Sequence, residues 1–179
     1  MEDDFNDFWR SLIKAGLRID RHYFQLSIAG SDEPIFRERV YCYELYHQLR
    51  CILGDRFPYK LDGEVDKSGH HYSNKALDSK KPDFIVHVPG EMKRNLVVIE
   101  VKPVTVKDRM SELEKDLKKL KGFIDRAKYQ RAIMLIYGAD GDDLPANFRI
   151  EIKRLRNKYS ERILFVHHPG PGKEPVIVQ

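Results

Sequence analysis

The sequence predicts an α/β fold in three layers, with helices on both faces of a mixed sheet. Apolar residues recur at helical spacing in some segments and at strand spacing in others, and these segments alternate along the chain. The central part is predicted as helix, strand, strand, strand, helix, strand, followed by one further helix and strand. A helical segment precedes this core as an N-terminal extension. An order of this kind is typical of a sheet covered on two sides.

Size and composition favour one globular domain. The chain has 179 residues, of which 41% are hydrophobic, and this is enough apolar material for a single core. We therefore expect residues 1–179 to form a single domain. The sequence lacks the roughly 18 consecutive apolar residues of a membrane helix and the basic start of a secretory signal, which predicts a soluble cytoplasmic protein without a membrane partner. The net charge of +4 permits a polyanionic partner.

The N-terminal part is predicted to contain two helices and one strand. Residues 4–16 carry apolar side chains at helical spacing, whereas residues 21–28 fit a strand or a helix. A second helix is expected over 31–53, because it opens with Ser-Asp cap candidates and a proline in the first turn, and Gly54 ends it. Residues 57–66 are predicted as the first strand.

Two further strands are predicted to form a hairpin. The polar run 67–81 is expected to be a loop, since it offers few side chains to bury. Strands are then predicted over 83–88 and 95–104, and the turn residues Pro89 and Gly90 lie between them.

The C-terminal half supplies the remaining helices and strands. Residues 108–128 have the most regular helical stripe in the chain. Residues 132–138 are apolar throughout, as in a strand that is covered on both faces. A helix over 144–160, a strand over 163–168 and a short edge within 175–179 complete the prediction as a C-terminal addition.

Three charged residues are predicted to meet at the end of the hairpin. Strand alternation places Leu96, Val98, Glu100 and Lys102 on one face. Asp83 begins the neighbouring strand, so antiparallel pairing would bring it beside Glu100. Charged groups at the end of a buried strand are costly unless they are paired with each other or with a metal ion.

This set of residues suits a hard divalent cation. Two adjacent carboxylates repel each other and need a compensating charge, which Mg²⁺ or Mn²⁺ would supply. Such an ion with a nearby lysine can activate water against a phosphodiester. Phosphodiester hydrolysis is therefore the reaction class that we expect.

The spacing of these residues resembles a known signature. A Pro-Asp pair ending at Asp83, a gap of sixteen residues and then Glu100-Val101-Lys102 resemble the PD-(D/E)XK motif of the restriction-endonuclease-like nucleases. The order helix, three strands, helix, strand resembles the αβββαβ core of that superfamily, over roughly residues 34–138. The resemblance implies a metal-dependent nuclease, with DNA as the expected substrate and with a homodimer as one expected form.

The resemblance also implies a role for each residue. Asp83, Glu100 and the main-chain carbonyl of Val101 would bind the metal ion, and Lys102 would act on the attacking water. Several members carry an additional glutamate on the first core helix, and Glu44 matches that position. Glu64, on the first predicted strand, is a weaker candidate for the same cluster.

The setting of the triplet is more informative than the triplet itself, because four other triplets also satisfy it. Only Glu100 ends a long apolar strand that follows a Pro-Asp pair at hairpin distance. The competing triplets are Glu91-Met92-Lys93, Glu151-Ile152-Lys153, Asp78-Ser79-Lys80 and Asp116-Leu117-Lys118.

Simpler explanations remain open for each candidate. Glu100 and Lys102 could form a structural ion pair, Asp83 could be a strand-entry residue, and Glu44 could pair with Arg37 or Lys102. The whole chain could also be a catalytically silent nuclease-like fold that binds nucleic acid or serves as a scaffold, or an unrelated α/β protein with structural charges. The choice between DNA and RNA, and between endonuclease and exonuclease, is left open.

Histidine pairs and helical tyrosines have weaker functional interpretations. The pairs His70-His71 and His167-His168 lack zinc-ligand spacing and are expected at the surface or in loops. The tyrosines of the 31–53 helix could stack on bases but are more often packing residues. If the protein is a nuclease, we expect phosphate contacts from the lysine-rich and arginine-rich helices and the 67–81 loop.

Overall fold

The computed structural model describes residues 2–64, 81–105, 109–138 and 144–178, which form a six-stranded mixed sheet with helices on both faces. The helices are α1 (Glu2–Gly16), α2 (Arg21–Phe24), α3 (Glu38–Leu53), α4 (Arg109–Asp125) and α5 (Ala146–Lys158). The strands are β1 (Lys60–Gly63), β2 (Phe84–His87), β3 (Asn95–Pro103), β4 (Arg131–Tyr137), β5 (Ile163–His168) and β6 (Val176–Ile177). Within these ranges, no helix combines the length and apolar character needed to cross a membrane.

Most of the predicted loop 67–81, including His70 and His71, lies outside the described residues, as does residue 108 at the predicted start of the fourth helix.

The six strands are arranged in chain order, from β1 to β6. Strands β1, β2 and β3 are antiparallel neighbours, β3, β4 and β5 are parallel, and β6 is antiparallel to β5. The two parallel connections pass through α4 and α5, as parallel strands require a crossover. The predicted α/β class with a mixed sheet and flanking helices is confirmed, and the predicted short C-terminal edge is β6.

Two apolar clusters fill the space on either side of the sheet. One cluster joins α1, α2 and α3 to the sheet, and the other joins α4 and α5 to it. Consecutive residues of β4 enter opposite clusters: Ile133 and Leu135 pack towards α1 and α3, while Ala132 and Met134 pack towards α4 and α5. Burial on both faces explains why this strand is apolar throughout.

Helix α3 starts later than the sequence suggested. The prediction placed its start at 31, but the helix begins at Glu38. Leu26 and Ile35 instead exchange two main-chain hydrogen bonds, of 2.8 and 2.9 Å, and form an isolated bridge. Because these bonds hold the segment before Glu38 in an extended pairing, the helical cap signals near Ser31 are not used.

The hairpin between β2 and β3 turns where the sequence predicted. The Glu91 N–H donates to the Val88 carbonyl at 3.1 Å, which closes a four-residue turn with Pro89 second and Gly90 third. Gly90 has a φ of +84°, the left-handed value that the third position of a type II turn requires.

Candidate active site at the end of the β2–β3 hairpin

The register of the hairpin brings the three predicted residues to one place. Phe84 pairs with Ile99 across the antiparallel strands, so continuing the register by one residue sets Asp83 opposite Glu100. The Val101 N–H donates to Asp83 Oδ2 at 2.7 Å, which fixes the carboxylate against β3. The predicted proximity of Asp83 and Glu100 therefore agrees with the observed pairing.

A β-bulge changes the predicted face of Leu96. Val86 pairs with Val97 but His87 pairs with Asn95, so Leu96 is an extra residue in β3. It packs in the same cluster as Val97, towards α1 and α3, and not with Val98 as strict alternation predicted. Beyond the bulge the alternation resumes, and Glu100 and Lys102 face α4.

Two charged residues of α4, Asp116 and Lys119, lie beside Glu100 and Lys102 of β3. Glu100 is only 2% exposed, and its Oε1 lies 2.6 Å from Lys119 Nζ, although not in the orientation of a hydrogen bond. Lys102 Nζ lies 3.5 Å from Asp116 Oδ2, and Lys119 Nζ lies 3.8 Å from Asp116 Oδ1. Glu100 and Lys102 thus each pair with α4, and the described ion pairs do not join them to each other.

Glu38, not Glu44, is the α3 glutamate that reaches this site. Lys102 Nζ donates to Glu38 Oε2 at 2.9 Å. Glu44 lies six residues further along the helix, and its carboxylate accepts a hydrogen bond from Gln48 at 2.7 Å. Six residues correspond to about one and two-thirds helical turns, so Glu44 points away from the face that carries Glu38.

We call this group the acid–lysine cluster. It contains four carboxylates and two ammonium groups among the described residues: Glu38, Asp83, Glu100, Asp116, Lys102 and Lys119. If all six groups are ionised, the net charge of the cluster is −2. One divalent cation would compensate that charge, as would two protons.

Asp83, directly before β2, and Glu100 in β3 both have raised pKa values. Burial and, after it, the charge of Asp83 raise the pKa of Glu100 to about 8. Burial raises the pKa of Asp83 to about 6, although the Val101 N–H opposes the increase. Burial alone would lower the pKa of Lys102, but the hydrogen bond and charge of Glu38, with Asp116 and Asp83, raise it overall.

The cluster has oxygen donors that suit a hard cation, but the described side chains do not form a complete coordination sphere. Asp83, directly before β2, and Glu100 in β3 offer carboxylate oxygens at the same end of the hairpin. Over the described ranges, no group of three Asp, Glu, His or Cys side chains is arranged to hold a metal ion. Mg²⁺ commonly uses only one or two protein carboxylates and completes its shell with water and substrate phosphate, so these two residues fit that ion. Val101 contributes its N–H to Asp83, and metal binding by its carbonyl stays a prediction.

The remaining candidates lie elsewhere or have structural partners. Glu64 pairs with Arg39 at 3.0 Å near the end of β1. His167 and His168 are buried in β5, so their predicted surface position is wrong. His168 Nδ1 lies 2.6 Å from the Tyr41 hydroxyl, and its burial lowers its pKa to about 4.

Three members of the acid–lysine cluster were not identified from the sequence. Glu38 was treated as part of the first turns of a longer helix. Asp116 lies three residues after Leu113 and four before Leu120, so its carboxylate falls within the apolar stripe of α4. That position was the signal that could have identified it. Lys119 belongs to a lysine-rich helix, and its spacing from Asp116 does not distinguish it from the other lysines there.

No protein-family model, no curated protein and no solved structure matches this chain.

Proposed function

We propose that the protein is a metal-dependent nuclease that hydrolyses phosphodiester bonds in DNA, with its active site at the acid–lysine cluster. The observation that carries the proposal is the meeting of Asp83, directly before β2, with Glu100 of the antiparallel neighbour β3, and the position of Lys102 on the same face of β3 as Glu100. The order α3, β1, β2, β3, α4, β4 also supports a restriction-endonuclease-like core. In this proposal α1 and α2 are the N-terminal extension, and α5 and β5 are the C-terminal addition.

The excess negative charge of the cluster supports a bound cation. Asp83 and Glu100 would hold Mg²⁺ or Mn²⁺, because hard oxygen donors suit these ions. When bound, such a cation polarises the phosphate and lowers the pKa of a coordinated water. The ammonium of Lys119, which lies against Glu100, would then be displaced or shared.

Lys102 would position the attacking water. Its ammonium is fixed between Glu38 and Asp116, which come from different helices. Its pKa is raised, so it stays protonated at neutral pH. A protonated lysine favours water positioning and stabilisation of the developing phosphate charge over abstraction of a proton.

The chain offers a matched control for the test of this function. Lys102→Ala is expected to reduce cleavage of DNA in the presence of Mg²⁺ or Mn²⁺ by at least about 100-fold. Lys93→Ala removes the lysine of another Glu-X-Lys triplet, which is exposed in the β2–β3 turn, and should cleave like the unsubstituted protein.

The measurement is the initial rate on single-stranded DNA, double-stranded DNA and RNA, with and without the cation. Equal rates for the two variants would contradict the proposal, as would the absence of cation-dependent cleavage of every substrate. Preferential cleavage of RNA would retain the site and change the substrate.

One observation favours a second candidate function, a catalytically silent module that binds nucleic acid. Glu100 already has a positively charged partner, because Lys119 Nζ lies 2.6 Å from its Oε1. If this pair is permanent, the cluster is a structural network. The silent module predicts salt-dependent binding of nucleic acid that Asp83→Ala leaves intact, without cleavage by the unsubstituted protein.

A further inference from the structure

A cavity of about 580 Å³ opens between α3 and the end of β1, directly beside the acid–lysine cluster. We call it the α3–β1 cavity. Glu38 and Asp83 line it and also belong to the cluster, so the cavity adjoins the cluster. Its volume lies within the range of about 300 to 1,000 Å³ that accommodates small organic ligands.

Three aromatic side chains line the α3–β1 cavity, among charged residues. Tyr43 is 64% exposed although it is a large ring on a well-formed helix. Tyr46 and Phe84 also line the cavity and stack on each other, with ring centroids 6.2 Å apart and planes 22° apart. Flat rings in a polar cavity favour a flat, partly polar ligand, and stacking of bases on aromatic side chains is a sequence-tolerant mode of recognition.

Gly63, at the end of β1, leaves space at the floor of the cavity because it has no side chain. A Cβ added at Gly63 would lie 3.9 Å from the Phe84 ring and 4.0 Å from the Tyr46 ring, and 3.4 Å from the Asp83 carbonyl. These are ordinary contact distances, so a side chain is sterically tolerated here and would occupy space beside both rings.

An arginine at the rim of the cavity forms an exposed ion pair that can be exchanged for another partner. Arg39 pairs with Glu64 at 3.0 Å, and both side chains are more than half exposed. An exposed pair of this kind contributes little to stability. The guanidinium of Arg39 can therefore change partners and contact a phosphate oxygen, for which its planar fork is suited.

We propose that the α3–β1 cavity binds the nucleobase of a nucleotide next to the scissile phosphate, with Tyr43 as the stacking surface and Arg39 on the adjoining phosphate. This inference rests on the proposed nuclease function. A base in the cavity must leave its stack, so the site selects single-stranded or locally opened nucleic acid. It adds a base-recognition pocket to a site that is otherwise described only by its charges.

The test uses fluorescence of a single-stranded DNA in which one 2-aminopurine lies between two abasic nucleotides, so that the free base is unstacked and its emission falls when it stacks on a tyrosine. The protein is the full chain carrying Lys102→Ala, with Mg²⁺ present, so that the strand is not consumed. Binding should quench the emission. The further change Tyr43→Ala should abolish the quench and weaken binding at least about fivefold.

Two additional variants separate stacking from other effects. Tyr43→Phe retains the ring and should retain the quench, whereas Gly63→Leu fills the cavity and should remove it. Unchanged quenching with Tyr43→Ala, or no quenching by the Lys102→Ala protein, overturns the cavity assignment. The cleavage assay with the unsubstituted protein tests the nuclease separately, because quenching without cleavage would keep the base site and reject the nuclease.

Discussion

Lys102 is the residue on which the two helical layers converge. Its ammonium contacts Glu38 at the start of α3 and Asp116 in α4, from opposite faces of the sheet. Both carboxylates also raise its pKa and so keep it charged. In the proposed nuclease, Glu38 would thus act as a positioning residue for Lys102, because its described ion pair is with that ammonium.

Glu38 and Glu44 provide a matched pair for testing this role. Glu38→Gln should lower kcat for DNA cleavage about 10-fold or more with little change in KM, because Lys102 loses a charged partner in the transition state but substrate contacts persist. Glu44→Gln, on the same helix, should leave both parameters unchanged. An equal effect of the two substitutions would mean that Glu38 acts only through the stability of α3.

The sequence identified Asp83, Glu100 and Lys102 because strand alternation and hairpin pairing are local rules. It did not identify Glu38, because the contact of that residue with Lys102 depends on how α3 packs against the end of β3. Asp116 and Lys119 depend on how α4 docks against β3, which is a tertiary property.

At the level of single elements, the residue that follows β4, Gly138, packs closely against Phe36 in the segment before α3. Gly138 has a φ of +85°, and a Cβ added there would lie 2.4 Å from the Phe36 ring. The residue therefore needs both the left-handed backbone and the missing side chain. Its N–H donates to the His168 carbonyl at 2.9 Å, so the end of β4 stays attached to β5.

Gly138→Ala should lower the free energy of unfolding by about 2 to 4 kcal/mol, from backbone strain and the contact with Phe36. Gly172→Ala is the control, since Gly172 also has a positive φ, of +68°, but a Cβ there meets nothing within 4 Å. It should cost only about 1 to 2 kcal/mol. Urea unfolding of both variants measures the difference, and equal costs would show that Phe36 moves aside freely.

At the scale of the whole molecule, the order of elements was predictable and the packing details were not. Periodicity located the five strands from β1 to β5 and the short edge β6, because each has a distinct apolar pattern. The bulge at Leu96 and the burial of His168 were missed, since neither leaves a local pattern in the sequence. The bulge follows from how β2 and β3 pair, and the burial of His168 from how β5 packs against α3.

The excess charge of the acid–lysine cluster predicts how stability depends on pH. Glu100 has a pKa raised to about 8 and Asp83 one raised to about 6, so the folded protein holds these protons more tightly than the unfolded chain. That stabilisation is present below the unfolded pKa values and is lost as pH rises through the folded ones. The pKa of His168 is lowered, so this residue makes the stability increase with pH. It does so only below its ordinary pKa of 6.5.

Without divalent cations, the free energy of unfolding should therefore fall by on the order of 2 kcal/mol between about pH 6.5 and pH 8.5. Glu100→Gln should remove most of this decrease, because glutamine has no proton to lose, whereas Glu91→Gln in the exposed turn should not. Mg²⁺ should stabilise the protein more at the higher pH, since it binds the ionised carboxylates. A Mg²⁺ effect that is the same at both pH values would argue against cation binding at this cluster.

The extra residue at Leu96 also determines which changes of length the hairpin can accept. Residues added or removed on the turn side of Leu96 leave the pairing of Phe84 with Ile99 intact, so Glu100 keeps its orientation. One residue deleted between Leu96 and Glu100 would be absorbed by loss of the bulge, because Leu96 could then pair with Val86 and leave both charged side chains of β3 in place. The turn is thus free to vary in length, and β3 itself can lose one residue before the orientation of Glu100 is at risk.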